Sequence, residues 1–504
     1  MTEPPFPSAS RPFDFVALAL VLALATAGAA LVLFLEPRPL AVVEVSPRDG
    51  AHGVSWRAQV SVTFSRPLAE TLDRGSLSVT PDTDGFVSAA GRRAAFTPRA
   101  GFRADTSYEV TLSSGLRDRA GRSAVPGVIS RFRTQPLGLV LRAQDQGLLR
   151  LPRLGSAPEP LAVPRIGPFA VNGEGVAAYV RSGEANLLIE SPGGGDSIRR
   201  IPLPAGVDVR ELEWSPTGGV LAFLAAMPGA AVPGPVYVLR LEGIRASIDR
   251  LSGGGGTIDV GSPLLVESLK KSLIEVVYRR ESFALTPDGQ SVIARDAGWD
   301  FAVFGLDGTR RSTLGPYLAV GNTSPRGDAV AVVDVNPADP LLRRQVLVHG
   351  REGDARPLSD PRRDSHSPRF ANRSDRVVFV TGAPEGPPDS RRFGLELADV
   401  PTGIRRPLAG PPEGESDEEP MWSPEDSWIL FRRAPVGQPA RGRLWIVSPG
   451  GGAAVRLPVE AMQGRWSPGV DSRPVVGHDG EKRGSVTGRD EQDQARGGQG
   501  HGPE

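Results

Sequence analysis

The side chains that could do chemistry are few. The 504-residue chain has five histidines (His52, His349, His366, His478 and His501) and no cysteine. Disulfides, thiolate catalysis and Cys-ligated zinc are therefore excluded, and no histidine stands at metal-ligand spacing. His366, in Asp364-Ser365-His366-Ser367-Pro368, has the neighbours of an acyl-transfer triad, but it falls just before a turn phrase and reads as a loop histidine. A hydrolase would also need Gly-x-Ser-x-Gly on a strand-to-helix turn, and none occurs in a βαβ context. The glycine run 253–256 lacks the Lys-Ser/Thr of a phosphate loop and reads as linker. The acidic stretch Glu413, Glu415, Asp417, Glu418 and Glu419 has the side chains to collect a cation such as calcium. It reads as a solvated loop. No catalytic, cofactor-binding or metal residue is assigned, so the expectation is a protein without cofactor that is not an enzyme.

Composition narrows the class further. There are 58 basic and 58 acidic residues, so no net field draws the chain to nucleic acid. Only Lys270, Lys271 and Lys482 are lysines. The arginine excess reads as base composition, with an Arg-rich phosphate surface as the alternative. The 61 glycines and 49 prolines suit many turns between short strands.

Five segments follow from hydropathy. Residues 1–14 are a short leader, and 15–35 (FVALALVLALATAGAALVLFL) are uncharged and apolar. At 1.5 Å per residue this run spans about 30 Å, the thickness of a bilayer core. It is expected to be an uncleaved transmembrane helix, with a cleaved signal peptide as the alternative. Arg11 precedes it and Arg38 and Arg48 follow, so charge sets the orientation weakly. Residues 41–136 alternate as strands: Val60, Val62 and Phe64 on one face, Tyr108, Val110 and Leu112 on another, with turns at Pro47–Gly50 and Pro81-Asp82. About seven strands in this length suit a β-sandwich, with Trp56 and Phe64 in its core. Residues 471–504 are charged, glycine-rich and expected to be disordered.

Between 137 and 470 one phrase returns. It is Trp214-Ser215-Pro216-Thr217-Gly218, then Leu285-Thr286-Pro287-Asp288-Gly289, Thr323-Ser324-Pro325-Arg326-Gly327, Trp422-Ser423-Pro424-Glu425-Asp426 and Trp466-Ser467-Pro468-Gly469. Ser or Thr caps a turn, Pro fixes its first corner, and Gly or Asp takes the unusual φ. The preceding aromatic is expected to pack between neighbouring sheets. Degenerate copies at Phe169-Ala170-Val171-Asn172-Gly173 and Phe370-Ala371-Asn372-Arg373-Ser374 bring the units to seven. Their positions are 170, 215, 286, 324, 371, 423 and 467. Such spacing predicts an all-β array of four-stranded units. Seven units are favoured, with six or eight open, because the interval from 215 to 286 holds either an inserted loop or a degenerate blade. The orphan strands at 139–141 and 148–151 are expected to complete the last unit and close a ring.

Two resemblances attach to these residues. "VVEVSPRDGAHGVSWRAQVSVTFSRPL", the Asp118-x-Ala120-Gly121 turn and the closing Phe132-x-Thr134 resemble bacterial Ig-like domains of envelope proteins, which implies a spacer or adhesive module outside a membrane. The repeated phrase, most closely in "ESDEEPMWSPEDSWILF", resembles the TolB-type β-propeller repeat, which implies a rigid binding platform. Together they lead to the expectation of a single-pass membrane protein with its bulk outside the cell membrane, binding an envelope protein or glycan at the propeller mouth. A propeller-type glycan lyase or hydrolase, and a ligand sensor acting through a membrane partner, are the alternatives.

Overall fold

The computed structural model describes residues 11–35 and 40–469, with interruptions of which 191–197, 227–235, 241–263, 267–282 and 384–391 are the longest. The N-terminal helix is Arg11–Leu35. Its side chains are described from residue 15 to 28 and are exposed. Among the described residues no helix is long and apolar enough to cross a membrane. The tail at 471–504 lies outside the described residues.

Residues 42–134 form two four-stranded sheets face to face. One orders strands Val42–Ser46, Val60–Phe64, Arg93–Pro98 and Gly85–Ala90; the other orders Ala51–Val54, Gly127–Thr134, Ser107–Leu112 and Leu77–Thr80. The strand alternation buries Val60, Val62, Phe64, Tyr108, Val110 and Leu112 between them, together with Trp56 at 1% exposure. The Phe102 ring meets Tyr108 and Phe132 at 4.7 and 5.3 Å, filling one end of this core. The Asp118 turn holds itself: the buried carboxylate accepts from the backbone of Ala120 and Arg122, each at 2.9 Å, and pairs with the Arg122 side chain.

After this sandwich come, among the described residues, seven four-stranded antiparallel sheets. Sheet 1 spans 166–202, sheet 2 208–266, sheet 3 284–315, sheet 4 319–357, sheet 5 364–407 and sheet 6 415–456. Sheet 7 joins the two ends of the domain: Ala461–Pro468 pairs antiparallel with Leu137–Ala143, with Trp466 opposite Leu139 and Ala461 opposite Ala143. The orphan strands find their missing partner there. The first strand of each sheet neighbours the first strands of adjacent sheets, so these strands surround a central channel and the fold is a β-propeller. An eighth sheet would have to come from 241–282, of which only Leu264–Val266 is described, as the outer strand of sheet 2.

In sheets 2 to 6 the phrase closes the first hairpin. Ser215 donates its N–H to Val220 O (2.7 Å), Val220 N–H returns to Ser215 Oγ (3.1 Å), and Gly218 at φ +76° donates to Ser215 O. Ser324 and Gly327, and Thr286 and Gly289 behind Pro287 and Asp288, repeat the pattern; Asp288 accepts the Thr286 hydroxyl at 2.6 Å. After Ser423 and Pro424 the positive φ falls on Asp426 at +61°. In the last copy Ser467 donates its hydroxyl to Pro468 O. Pro216 lies outside the described residues, and Pro325 occupies the turn between Ser324 and Gly327.

Three expectations need correction. The first degenerate copy is out of frame by two residues: Asn172, not Ala170, donates to Val176 O in the role Ser215 plays toward Val220. The Asn172 side-chain oxygen accepts from Glu174 and Val176 N–H, each at 2.9 Å, doing the work of the hydroxyl in a turn one residue shorter. The acidic stretch is no loop, because Glu415–Trp422 is the innermost strand of sheet 6. There Asp417 is wholly buried against Arg433, and Arg432 reaches Glu418 and Glu419. Likewise His366 sits on strand Asp364–Phe370, half-buried, with Nδ1 2.9 Å from Ser367 Oγ.

Candidate functional site

The turns form a belt around one mouth of the ring. A Cβ on Gly218 would stand 3.1 Å from the Asn172 amide, and one on Gly327 3.3 Å from Pro287. Arg326 reaches Asp375 at 2.7 Å, and Asn372 donates its amide to Ser423 O. Asp426 is buried; its oxygens accept from the backbone N–H of Asn372 (2.7 Å) and Arg373 (2.9 Å). The phrase residues are therefore structural, and they stitch sheet to sheet.

Residues in and beside these turns also hold the sandwich. Arg373 donates to Phe102 O at 2.9 Å and Gly101 O at 3.4 Å. Glu425 accepts the Ala104 N–H. Arg153, just after the third strand of sheet 7, pairs with Asp105 at 3.5 Å. In sheet 1, a Cβ on Gly173 would lie 3.3 Å from the Arg57 guanidinium carbon. Arg57 feels the charge of Glu174 in sheet 1, and Arg373 in sheet 5 feels that of Arg57. The sandwich thus docks on the rim of this mouth at sheets 5, 6, 7 and 1, and its apolar core continues into Leu137, Leu139 and Trp466. Gly101 fits only as glycine: φ is +76° and a Cβ would meet Trp56 O at 2.7 Å. Arg373→Ala is expected to remove charge-assisted hydrogen bonds and cost about 1.5–3 kcal/mol, read as a lower denaturant midpoint for the sandwich.

The channel carries charge. In sheets 2, 5 and 7 the residue before the aromatic of the phrase is ionisable: Glu213, Arg369 and Arg465. Alternation turns it away from the aromatic. Trp214, Phe370 and Trp466 are buried, whereas Glu213, Arg369 and Arg465 keep partial exposure. The buried tryptophans tie neighbours together: Trp422 Nε1 donates to Arg369 O (2.9 Å) and Trp466 Nε1 to Met421 O (3.3 Å).

Bulges in the innermost pairings, such as Val209/Glu211, His366/Arg369, Glu418/Met421 and Ala461/Gln463, present a second tier that includes Glu211 and Glu419. Arg142 lies on the strand paired with Ala461–Pro468, donates to Gly167 O at 3.1 Å, and feels Glu419. With Arg165 and Met462 it lines a cavity of about 130 Å³ between sheets 7 and 1 at the mouth away from the sandwich. A second concavity, of about 250 Å³ along Arg456–Glu460, lies on the outer rim.

Glu213 is the most perturbed of these groups. Protein surrounds it, and burial pushes its carboxyl up to about 7; Arg369 pulls the other way, Glu211 adds to the rise, and the Leu285 N–H and Arg465 oppose it. Arg465, stacked over Phe169 at 5.4 Å, is shifted down by the same burial. Because Glu213 titrates higher in the folded than in the unfolded chain, its contribution to stability is present below the ordinary glutamate range and is lost as pH rises through about 7. Glu213→Gln is therefore expected to raise Tm at pH 8.5 and to change it little at pH 4.5, measured by calorimetry.

Among the described residues no group of three or more His, Cys, Asp or Glu could hold a metal ion. Sequence reasoning placed the ligand at a propeller mouth without naming residues. The signal was present in the ionisable residue preceding the aromatic in three of the copies.

Comparison with known proteins agrees with the first half of this architecture. Residues 36–134 match the family of bacterial Ig-like domains. Similar solved structures include TolB from Acinetobacter baumannii (11% identity, 85% of this chain and 98% of that one, TM-score 0.39). An oligogalacturonate lyase in complex with manganese is also similar (12% identity, 64% and 84%, TM-score 0.41). So is the hydrazine synthase of Kuenenia stuttgartiensis (10%, 57% and 78%, TM-score 0.37). Likenesses at this level carry no argument about activity, and the propeller rests on its own strand pairing. No curated protein matches the chain.

Proposed function

We propose that this is a membrane-anchored, extracytoplasmic binding protein. In this reading residues 15–35 hold it in the cell membrane, the Ig-like module lies outside, and a seven-bladed, TolB-type propeller takes a partner at its free mouth. The observation that carries the binding reading is the asymmetry of the two mouths. On the rim of one the sandwich docks through Arg57, Gly101, Phe102 and Ala104. The other leads past Arg142 to the charged tiers of the channel. The apolar run at 15–35 and the envelope association of bacterial Ig-like domains support the location. The partner is an envelope protein or glycan, held without turnover and without a cofactor.

The test is affinity capture from detergent-solubilised envelope with the full chain as bait, beside Arg142→Glu. The reading expects a partner recovered by the wild type and lost by the variant. Equal recovery by both, or turnover of a recovered glycan, contradicts it. Protease added to intact cells is expected to degrade the propeller; a protected propeller contradicts the outside location.

A further inference from the structure

The sandwich has two poles, joined by strand Gly127–Thr134. At the C-terminal end of that strand Thr134 donates its hydroxyl to Arg103 O, beside the Gly101–Ala104 segment that docks on the propeller. At its N-terminal end the chain arrives from the apolar helix. There Leu40 donates its N–H to Ser123 O at 3.3 Å and pairs in parallel with Ala124. The helix ends at Leu35, and five residue steps reach at most about 18 Å. Covalent geometry therefore tethers Leu40, and Ala124 beside it, close to the helix end.

This pole has an apolar surface with basic side chains around it. Val42 and Val43 follow Leu40, and Val125 and Val128 follow Ala124; they are 38%, 61%, 65% and 41% exposed. A bulge between Val42 and Glu44 leaves Val43 without a partner on the next strand, and both valines face water. Single exposed aliphatic residues are ordinary, but several gathered at one pole mark a contact surface. Arg117, bridged to Ser123, and Arg119, whose N–H bonds Pro67 O, are both exposed. Arg92, also exposed, donates to the carbonyl of Phe64, the residue opposite Val42. Asp118 is buried and paired with Arg122, so among the described residues of this pole Glu44 is the exposed acid. Apolar tips ringed by guanidiniums complement a surface that is anionic outside and hydrocarbon beneath.

We propose that this pole of the Ig-like module is seated on the membrane surface, with Val43, Val125 and Val128 among the headgroups and Arg92, Arg117 and Arg119 on lipid phosphates. The inference rests on the anchoring reading above and deepens it. The module does not swing from the helix as a free stalk. It is held by its own base, and the eight residues of strand Gly127–Thr134, at about 3.3 Å each, carry the propeller about 25 Å above the lipid.

The chain has no cysteine, so a single introduced thiol can carry an environment-sensitive fluorophore. Full-length Val43→Cys, Val125→Cys, Ala25→Cys and Leu341→Cys are labelled and reconstituted into vesicles of phosphatidylcholine and phosphatidylglycerol whose acyl chains are brominated near the headgroup or at mid-depth. Leu341, on the propeller and 65% exposed, is the control in water. Labels at 43 and 125 are expected to lose about half of their emission to the shallow bromines, and the label at 341 none. Adding Arg117→Gln and Arg119→Gln is expected to lower the quenching at 125 about twofold; circular dichroism checks that each variant is folded. Quenching at 25 by the deep bromines, with 43 and 125 left in water, overturns the proposal and keeps the anchor. Quenching at 43 and 125 but not at 25 sustains the seat and refutes the anchor. No quenching at any position refutes both. Labels at 43 and 125 that are shielded from iodide in water yet untouched by bromines reveal a protein contact instead and overturn the proposal. So does quenching at 341 equal to that at 125, or quenching at 125 unchanged by the arginine substitutions.

Discussion

Trp466→Ala is expected to lower the unfolding free energy by about 3–5 kcal/mol, the cost of truncating a buried aromatic and leaving a cavity. Trp466 is 5% exposed. It belongs to the last strand of the domain, which pairs with the first strand of the same domain, opposite Leu139. Its indole also reaches the carbonyl of Met421 in the preceding sheet. The truncation thus weakens the joint that closes the ring and removes a tie between neighbouring sheets. Val455→Ala, on an exposed outer strand at 52% exposure, is expected to stay within about 0.5 kcal/mol. Urea unfolding of the two variants measures the difference; equal midpoints would refute the role of the joint.

Asp417→Ala is expected to cost a similar ~3–5 kcal/mol, for an electrostatic reason. Arg433 and Asp417 are 6% and 0% exposed at their side chains and meet in two parallel contacts of 2.6 and 2.9 Å. The guanidinium also lies 4.9 Å from the Trp445 ring and 5.3 Å from Phe431. Burial drives the carboxyl above its ordinary range, and Arg433 only partly offsets it. Removing one partner leaves an uncompensated buried charge, whereas removing both with apolar residues of similar volume is often neutral. The double variant Asp417→Leu/Arg433→Met is therefore expected to recover most of the loss. A double variant as unstable as Asp417→Ala would refute this account.

Much of this was legible in the sequence because it is local. Turn residues obey local rules, so Ser215, Ser324 and Ser423 announce their hairpins, and the spacing between them announces the sheets. The strand alternation of Val60, Val62 and Phe64 likewise announces the sandwich. What escaped was non-local. The acidic stretch around Asp417 looks solvated because the arginines that neutralise it, Arg432 and Arg433, come from the next strand. Asn172 was hidden two residues out of frame because a side-chain amide can replace a hydroxyl and shorten the turn. Arg373 reads as part of a degenerate turn and Glu425 as a turn residue of the copy most like the repeat, yet both hold the sandwich, whose partners Gly101, Phe102 and Ala104 lie about 270 to 320 positions earlier. Glu213 was visible only as the residue before Trp214; its perturbation needs Glu211, Arg369 and Arg465 brought together by ring closure.

The ring is closed by its own two ends, and the sandwich docks on the rim of one mouth. Hydrogen–deuterium exchange of the full-length protein tests both most directly, read at the amides of 461–468 and at Ala104. Protection of both close to the level set by global unfolding is the predicted result. Exchange of the 461–468 amides at the rate of an unstructured peptide, while sheets 4 to 6 stay protected, would contradict the closed ring. Rapid exchange confined to Ala104 would contradict the docking of the sandwich on that rim.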